Sequence, residues 1–300
     1  MMTAGRTGLA IVVVLLFRNL NAAAAEKVAP PVRTFLNLSY KSGCKACLLD
    51  LALPAKQPGP LPVIVVIHGG GWIEGDKSSF TSDKLGVPGN VVDFARMGFA
   101  AATINYRMSR EAPYPAALDD CRAAIRWLRA HAAEYELDAG RIGAYGNSAG
   151  GHLALLLALA EDPADRGKPI DQSSRVQAAA SDSGPIDLGA DYRRGTLRAV
   201  IDGFMGGPPA GDRAAQYERA SPSHYVSSQG PPLLFIYGEL DTQVGVETAD
   251  RFVTALAEAG RKDVTYLRLA HVNHCPHSLQ RVPFVKDAVD QFFVRTLRPH

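Results

Sequence analysis

Residues 141–159 read RIGAYGNSAGGHLALLLAL, and their reading decides the fold. The segment divides into a strand, a sharp turn and a helix that is apolar all round, as a buried helix is. At the turn, Gly146-x-Ser148-x-Gly150 matches the pattern of a nucleophile elbow. A serine on a tight strand-to-helix turn occupies a strained backbone conformation, so its neighbours must be glycine or nearly so. The helix that follows points its N-terminus at the serine, where free N–H groups meet negative charge. The five-residue pattern alone is common. Its position between a strand and an apolar helix gives it weight.

Working outward, Val63–Ile67 (VIVVI) is apolar on both faces, as a central parallel strand covered by helices must be. It runs into His68-Gly69-Gly70-Gly71-Trp72, where consecutive glycines let the backbone approach another group with its N–H groups turned outward. Upstream, Val32–Tyr40 and Leu49–Leu53 alternate apolar and polar residues around the Ser42-Gly43 turn. They predict an antiparallel hairpin at a sheet edge. Downstream, helix is expected over Asn90–Met97, strand over Phe99–Ile104 and one long helix over Pro115–Tyr135. Strand follows at Val176–Ser181 and Leu233–Tyr237, helix at Val246–Gly260, strand at Val264–Leu269 and helix at Val282–Leu297. This alternation predicts a doubly wound α/β domain over residues 26–300. Residues 188–229 have poor periodicity and read as an insertion over the carboxyl edge of the sheet.

The chain has 300 residues, 47% hydrophobic and 21% charged, with a net charge of +2. Without a basic block or acidic tail, nothing points to nucleic acid or to an electrostatic membrane patch. Residues 1–25 carry Arg6, the apolar run Leu9–Phe17 and the small-residue pair Ala23-x-Ala25 before Glu26. The run is too short to span a bilayer, so a cleaved signal peptide and export to the periplasm or exterior are expected, without stable membrane insertion. Cys44-x-x-Cys47 could then close a small disulfide in an oxidising compartment. Cys121 reads as a core residue, and Cys275 with His274 and His277 is too small a set for a convincing zinc site. No metal or cofactor is expected.

HGGGW at 68–72, GNSAGGH at 146–152, GELD at 238–241 and NH at 273–274 together resemble the α/β-hydrolase superfamily. More narrowly, the chain is similar to esterases of the hormone-sensitive-lipase type and to acetyl- and feruloyl-esterase-like enzymes, from about Val32 to Leu297. The resemblance implies an α/β-hydrolase fold with a mostly parallel sheet and a triad in the chain order serine, acid, histidine. Ser148 is the expected nucleophile. The family's glycine–aspartate segment selects Asp241 as the acid over Glu239 and Asp187. The family's small or amide residue before the histidine selects His274 over His271 and His277. The oxyanion hole is expected from the N–H groups of Gly70, Gly71 and Ala149, with His68 bracing the glycine loop and His152 packed in its helix. Trp72 either lines the substrate pocket or packs beneath the loop.

These roles agree with the chemistry. A serine hydroxyl needs a base to take its proton, and that histidine needs a carboxylate to hold its tautomer. The expected function is a serine carboxylesterase acting on a short-acyl or aryl ester, small or carbohydrate-linked. By resemblance alone the substrate extends to acetyl or feruloyl groups on plant polysaccharide. The alternatives are a peptidase or arylformamidase on the same fold, or a non-catalytic hydrolase-like binding protein. Oligomeric state is not legible.

Overall fold

The computed structural model describes residues 30–298 apart from 57–58, 82–86, 168, 170–171 and 276–282. The expected leader at 1–25 and His277 lie outside the described residues. Eight strands form one sheet: β1 (Val32–Ser39), β2 (Leu48–Pro54), β3 (Leu61–Ile67), β4 (Ala100–Ile104), β5 (Leu137–Asn147), β6 (Ala178–Asp182), β7 (Leu233–Gly238) and β8 (Val264–Leu269). Their spatial order is β1-β2-β4-β3-β5-β6-β7-β8. β1 pairs antiparallel with β2, and β2 antiparallel with β4; the remaining pairings are parallel. The edge hairpin is therefore where the alternating pattern put it, and the sheet is mostly parallel.

The helices are α1 (Val91–Arg96), α2 (Ala116–Ala130), α3 (Ala132–Tyr135), α4 (Ala149–Leu159), α5 (Leu188–Arg194), α6 (Arg198–Met205), α7 (Arg213–Arg219), α8 (Val246–Glu258) and α9 (Pro283–Leu297). Side chains alternate across a strand, so the doubly apolar run of β3 serves two cores at once. Val63, Val65 and Ile67 join the cluster that holds Leu118 and Ile125 of α2 and Leu153 of α4. Ile64 and Val66 join the opposite cluster with Phe94 of α1 and Phe293 of α9. A third cluster packs Phe235 and Tyr237 of β7 against Phe252 of α8.

One expectation is corrected. Pro115–Tyr135 is not one helix but α2 and the single turn α3, divided at His131. There Nδ1–H of His131 and its backbone N–H both reach the Trp127 carbonyl, and ψ opens to 14°, too flat to continue the helix. The residues 188–229 carry more regular structure than their periodicity suggested, namely α5, α6 and α7. Each is short and ends on glycine or a few residues before it, or on a 3-10 turn, so no window is long enough to show a helical period.

Cys44 and Cys47 are joined as a disulfide beside the edge hairpin. Cys121 and Cys275 are buried and are not part of that disulfide. Among the described residues, no helix is long and apolar enough to cross a membrane.

Candidate active site

The elbow is built from close approaches that only glycine permits. A Cβ on Gly146 would lie 2.2 Å from the Gly150 carbonyl oxygen, and one on Gly150 would lie 2.0 Å from that of Ile67. With those atoms absent, β5 can turn into α4 directly above β3. Ser148 sits at the corner with φ 50° and ψ −123°, a strained conformation for a residue bearing a side chain. Its backbone N–H donates to the Asp182 carbonyl at 2.7 Å, which pins the corner to the end of β6.

Asp241 and His274 arrive on the loops after β7 and β8. A Cβ on Gly238 would lie 2.3 Å from the Val272 oxygen and 2.4 Å from that of Asn273, so this glycine lets the two loops close on each other. The Leu240 N–H then donates to the Val272 carbonyl at 2.8 Å. The Asp241 side chain is fully buried. Its Oδ1 accepts from the Gln243 and Val244 N–H groups at 2.8 and 2.9 Å, leaving Oδ2 for His274 Nδ1 at 2.7 Å. A carboxylate can only accept, so Nδ1 carries the proton and Nε2 presents a lone pair. That Nε2 lies 3.0 Å from Ser148 Oγ. Asn273 Oδ1 accepts the His274 N–H at 2.7 Å and holds the loop.

The structure thus brings Ser148, Asp241 and His274 into one hydrogen-bonded chain. The rivals stand apart from it. Glu239 pairs with Arg268 at 2.9 Å, and Asp187 caps α5 by accepting from the Ala190 N–H. His271 is exposed, with φ 60°.

Gly70, Gly71 and Ala149 border the same cleft as Ser148 and His274. Among the described residues their backbone N–H groups make no hydrogen bond, and that of Ala149 opens α4, where the helix dipole adds positive potential. Gly70 and Gly71 hold φ at 103° and 58°, turning the loop under its own carbonyl so that Gly70 accepts from Ile73 and Glu74. The Gly69 N–H donates to Asn147 Oδ1 at 3.0 Å, a link from glycine loop to elbow that the sequence pattern did not reveal.

His68 is a brace. Its Nδ1–H donates to the Gly69 carbonyl at 2.7 Å, its ring stacks on Tyr106, and burial lowers its pKa. His152 is a packed core residue. Its Nε2–H donates to the Ala220 carbonyl at 2.6 Å, and burial pushes its imidazole down to about 4. Trp72 borders the cleft, while the residue, 1% exposed, stacks its indole on Phe204 of α6 with ring centroids 4.2 Å apart.

The cleft encloses about 320 Å³, at the small end for a ligand site. Sequence reading missed part of its wall: Leu197 and Val200 from the insertion, Pro185, Gln243 and Cys275. Asp191 is buried on α5. Neither of its carboxyl oxygens makes a well-formed hydrogen bond among the described residues. Burial raises it to about 7, with Asp187 and Asp241 adding like charge that the Gly245 amide and Arg194 offset only in part.

A family model described as BD-FAE matches residues 49–256. The chain is 31% identical over 242 residues to Esterase LipQ of Mycobacterium tuberculosis, covering 79% of this chain and 56% of that protein. It spans about half the length of the curated relatives it matches first, 54–57% of each. Among solved structures it is similar to a truncated carbohydrate esterase from gut microbiota, with a TM-score of 0.72 and 26% identity, covering 91% of this chain and 99% of that one. It is likewise similar to Thermogutta terrifontis esterase Est2, with a TM-score of 0.68 and 26% identity over 90% of this chain and 94% of that one. Est2 has also been solved with propionate and with butyrate bound.

Proposed function

The chain belongs to the BD-FAE family within the α/β-hydrolase superfamily, and from that membership we propose that it is a serine carboxylesterase cleaving short-acyl or aryl esters through Ser148, His274 and Asp241. The observation that carries this reading is the relay of contacts, 3.0 Å from Ser148 Oγ to His274 Nε2 and 2.7 Å from His274 Nδ1 to Asp241 Oδ2.

In this reading Ser148 Oγ attacks the ester carbonyl while His274 Nε2 takes its proton. Asp241 holds the imidazole in the tautomer required and stabilises the imidazolium. The carbonyl oxygen becomes an oxyanion facing the N–H groups of Gly70, Gly71 and Ala149, each of which is worth about 3 kcal/mol to the transition state. His274 then gives the proton to the leaving alcohol, the acyl group stays on Ser148, and water attacks by the same route to release the acid. Donors preset for an oxyanion and a neutral base are the parts this sequence needs. None of these steps draws on a bound cofactor.

The substrate reading is narrower than the reaction. A cleft of about 320 Å³ fits an acyl group of a few carbons or one aromatic ring, with the alcohol partly outside. The carbohydrate esterase neighbour supports a carbohydrate-linked ester as the natural bond, with acetyl and feruloyl groups as the acyl parts this proposal names. Export of the chain after cleavage near Ala25 belongs to the same proposal, and a disulfide between Cys44 and Cys47 accords with an oxidising compartment.

Hydrolysis of p-nitrophenyl acetate, butyrate and decanoate by wild type and Ser148→Ala tests the reaction. Turnover of the short esters that disappears in the variant is expected. A well-folded wild type inert on all three would overturn the esterase reading and direct attention to amides and formamides.

A further inference from the structure

The insertion places one helix against the glycine loop in a way that bears on substrate choice. α6 begins at Leu197, which caps it, and presents Leu197, Val200 and Phe204 along one face, the i, i+3 and i+7 spacing of neighbours on a helix. Phe204 is the anchor. It is fully buried, stacks on Trp72 with centroids 4.2 Å apart and meets His152 edge-on at 5.6 Å. The Phe204 carbonyl accepts the Tyr114 N–H at 2.7 Å, which ties the last turn of the helix to the body of the protein. The other two residues border the cleft. Val200 presses on the loop itself, for a Cβ on Gly71 would lie 2.8 Å from Val200 Cγ1.

The directions of the reaction sort the cleft walls. The carbonyl oxygen must face Gly70, Gly71 and Ala149, and the leaving oxygen must face His274 Nε2; Gln243, whose N–H binds Asp241, and Cys275, next to His274 in the chain, belong to the loops that carry that base. The third substituent of the carbonyl carbon is the acyl chain. Outside the glycine loop with Trp72, Ile73 and Glu74, the elbow with Asn147, and the loops of Asp241 and His274, the cleft lining is apolar and comes from Pro185, Leu197 and Val200. Resting on the esterase reading, we propose that Val200, held in place by the Phe204–Trp72 stack, is the stop that limits acyl-chain length. The limit is therefore a property of the insertion helix and not of the catalytic loops.

The test is a set of kcat/KM values on two ester series, using wild type, Val200→Ala and Val200→Leu. One series holds p-nitrophenol constant and lengthens the acyl group from acetate to octanoate; the other holds acetate constant and varies the alcohol. Ratios within each variant cancel any loss of folded enzyme, and titration with an organophosphonate counts active sites. Val200→Ala should raise the octanoate-to-acetate ratio by about tenfold, and Val200→Leu should lower the butyrate-to-acetate ratio by a similar factor. The alcohol series should keep its order in both.

Acyl ratios that stay within about twofold of wild type in both variants would overturn the proposal, since one methylene in an apolar pocket is worth about tenfold or more. So would a change confined to the alcohol series, which would put α6 on the leaving-group side. A wild type inert on every ester would defeat the esterase reading first and this inference with it, a result distinct from active variants with unchanged ratios.

Discussion

Single side chains here are set by what surrounds them. Asp241 has Oδ1 occupied by two backbone N–H groups and Oδ2 left for His274. Asp241→Asn keeps the shape but can donate where the carboxylate accepted, which favours the wrong imidazole tautomer. Its kcat on a short ester should fall by about 10³- to 10⁴-fold with little change in melting temperature. Asp191 is the opposite case, a buried carboxyl raised to about 7 by its loss of solvent. Between the ordinary value of 3.8 and about 7 the folded chain holds a proton that the unfolded chain has released. Stability therefore falls as pH rises through that window, and the penalty is complete above it. Asp191→Asn cannot ionise. Its melting temperature should exceed that of wild type by at least about 2 °C at pH 8, with the difference shrinking towards pH 5. Parallel melting curves across that range would mean Asp191 finds a partner when it ionises.

At the scale of elements, the contact between Asp241 and His274 depends on how loops close more than on how long the strands are. Gly238 ends β7 where the acid loop and the histidine loop touch. Gly238→Ala would drive a methyl group into the Val272 and Asn273 carbonyls and spread the two loops. A displacement of about 1 Å between Asp241 and His274 is expected to cost about 100-fold in kcat/KM, measured on p-nitrophenyl acetate. Retention of full activity would show that the loops adapt. A local contact likewise divides α2 from α3. α2 and α3 look continuous in sequence because their apolar spacing does not break, and only the double use of the Trp127 carbonyl by His131 interrupts them.

For the molecule as a whole, the sheet carries the site and the edge hairpin closes one side of it. The disulfide lies at that hairpin and spans only three residues in sequence, so it restrains little of the unfolded chain. Reducing it should cost about 2 kcal/mol on the chain-entropy account, a fall of roughly 5 °C in melting temperature. Neither cysteine borders the cleft, so kcat/KM on a short ester measured below the transition should stay within about twofold. A large loss of activity on reduction would mean that the hairpin helps shape the site.

The sequence by itself determined the doubly wound sheet and the strand-to-helix elbow with Ser148 at its corner. Each depends on local chemistry: a strand apolar on both faces, glycines flanking a strained residue, a buried helix after them. It also ordered the acid and histidine candidates, though only through family resemblance, because loop register carries no periodic signal. The tertiary structure decided which candidates meet. Asp241 and His274 are separated by 33 residues and His274 and Ser148 by 126, so their contact is a product of sheet order and of the close approach at Gly238. It alone brought Asn147 to the glycine loop, buried Asp191 behind the acid loop and set Val200 against Gly71. Short helices from an insertion have too few turns to announce a buried face, and their role comes from the surface against which they fold.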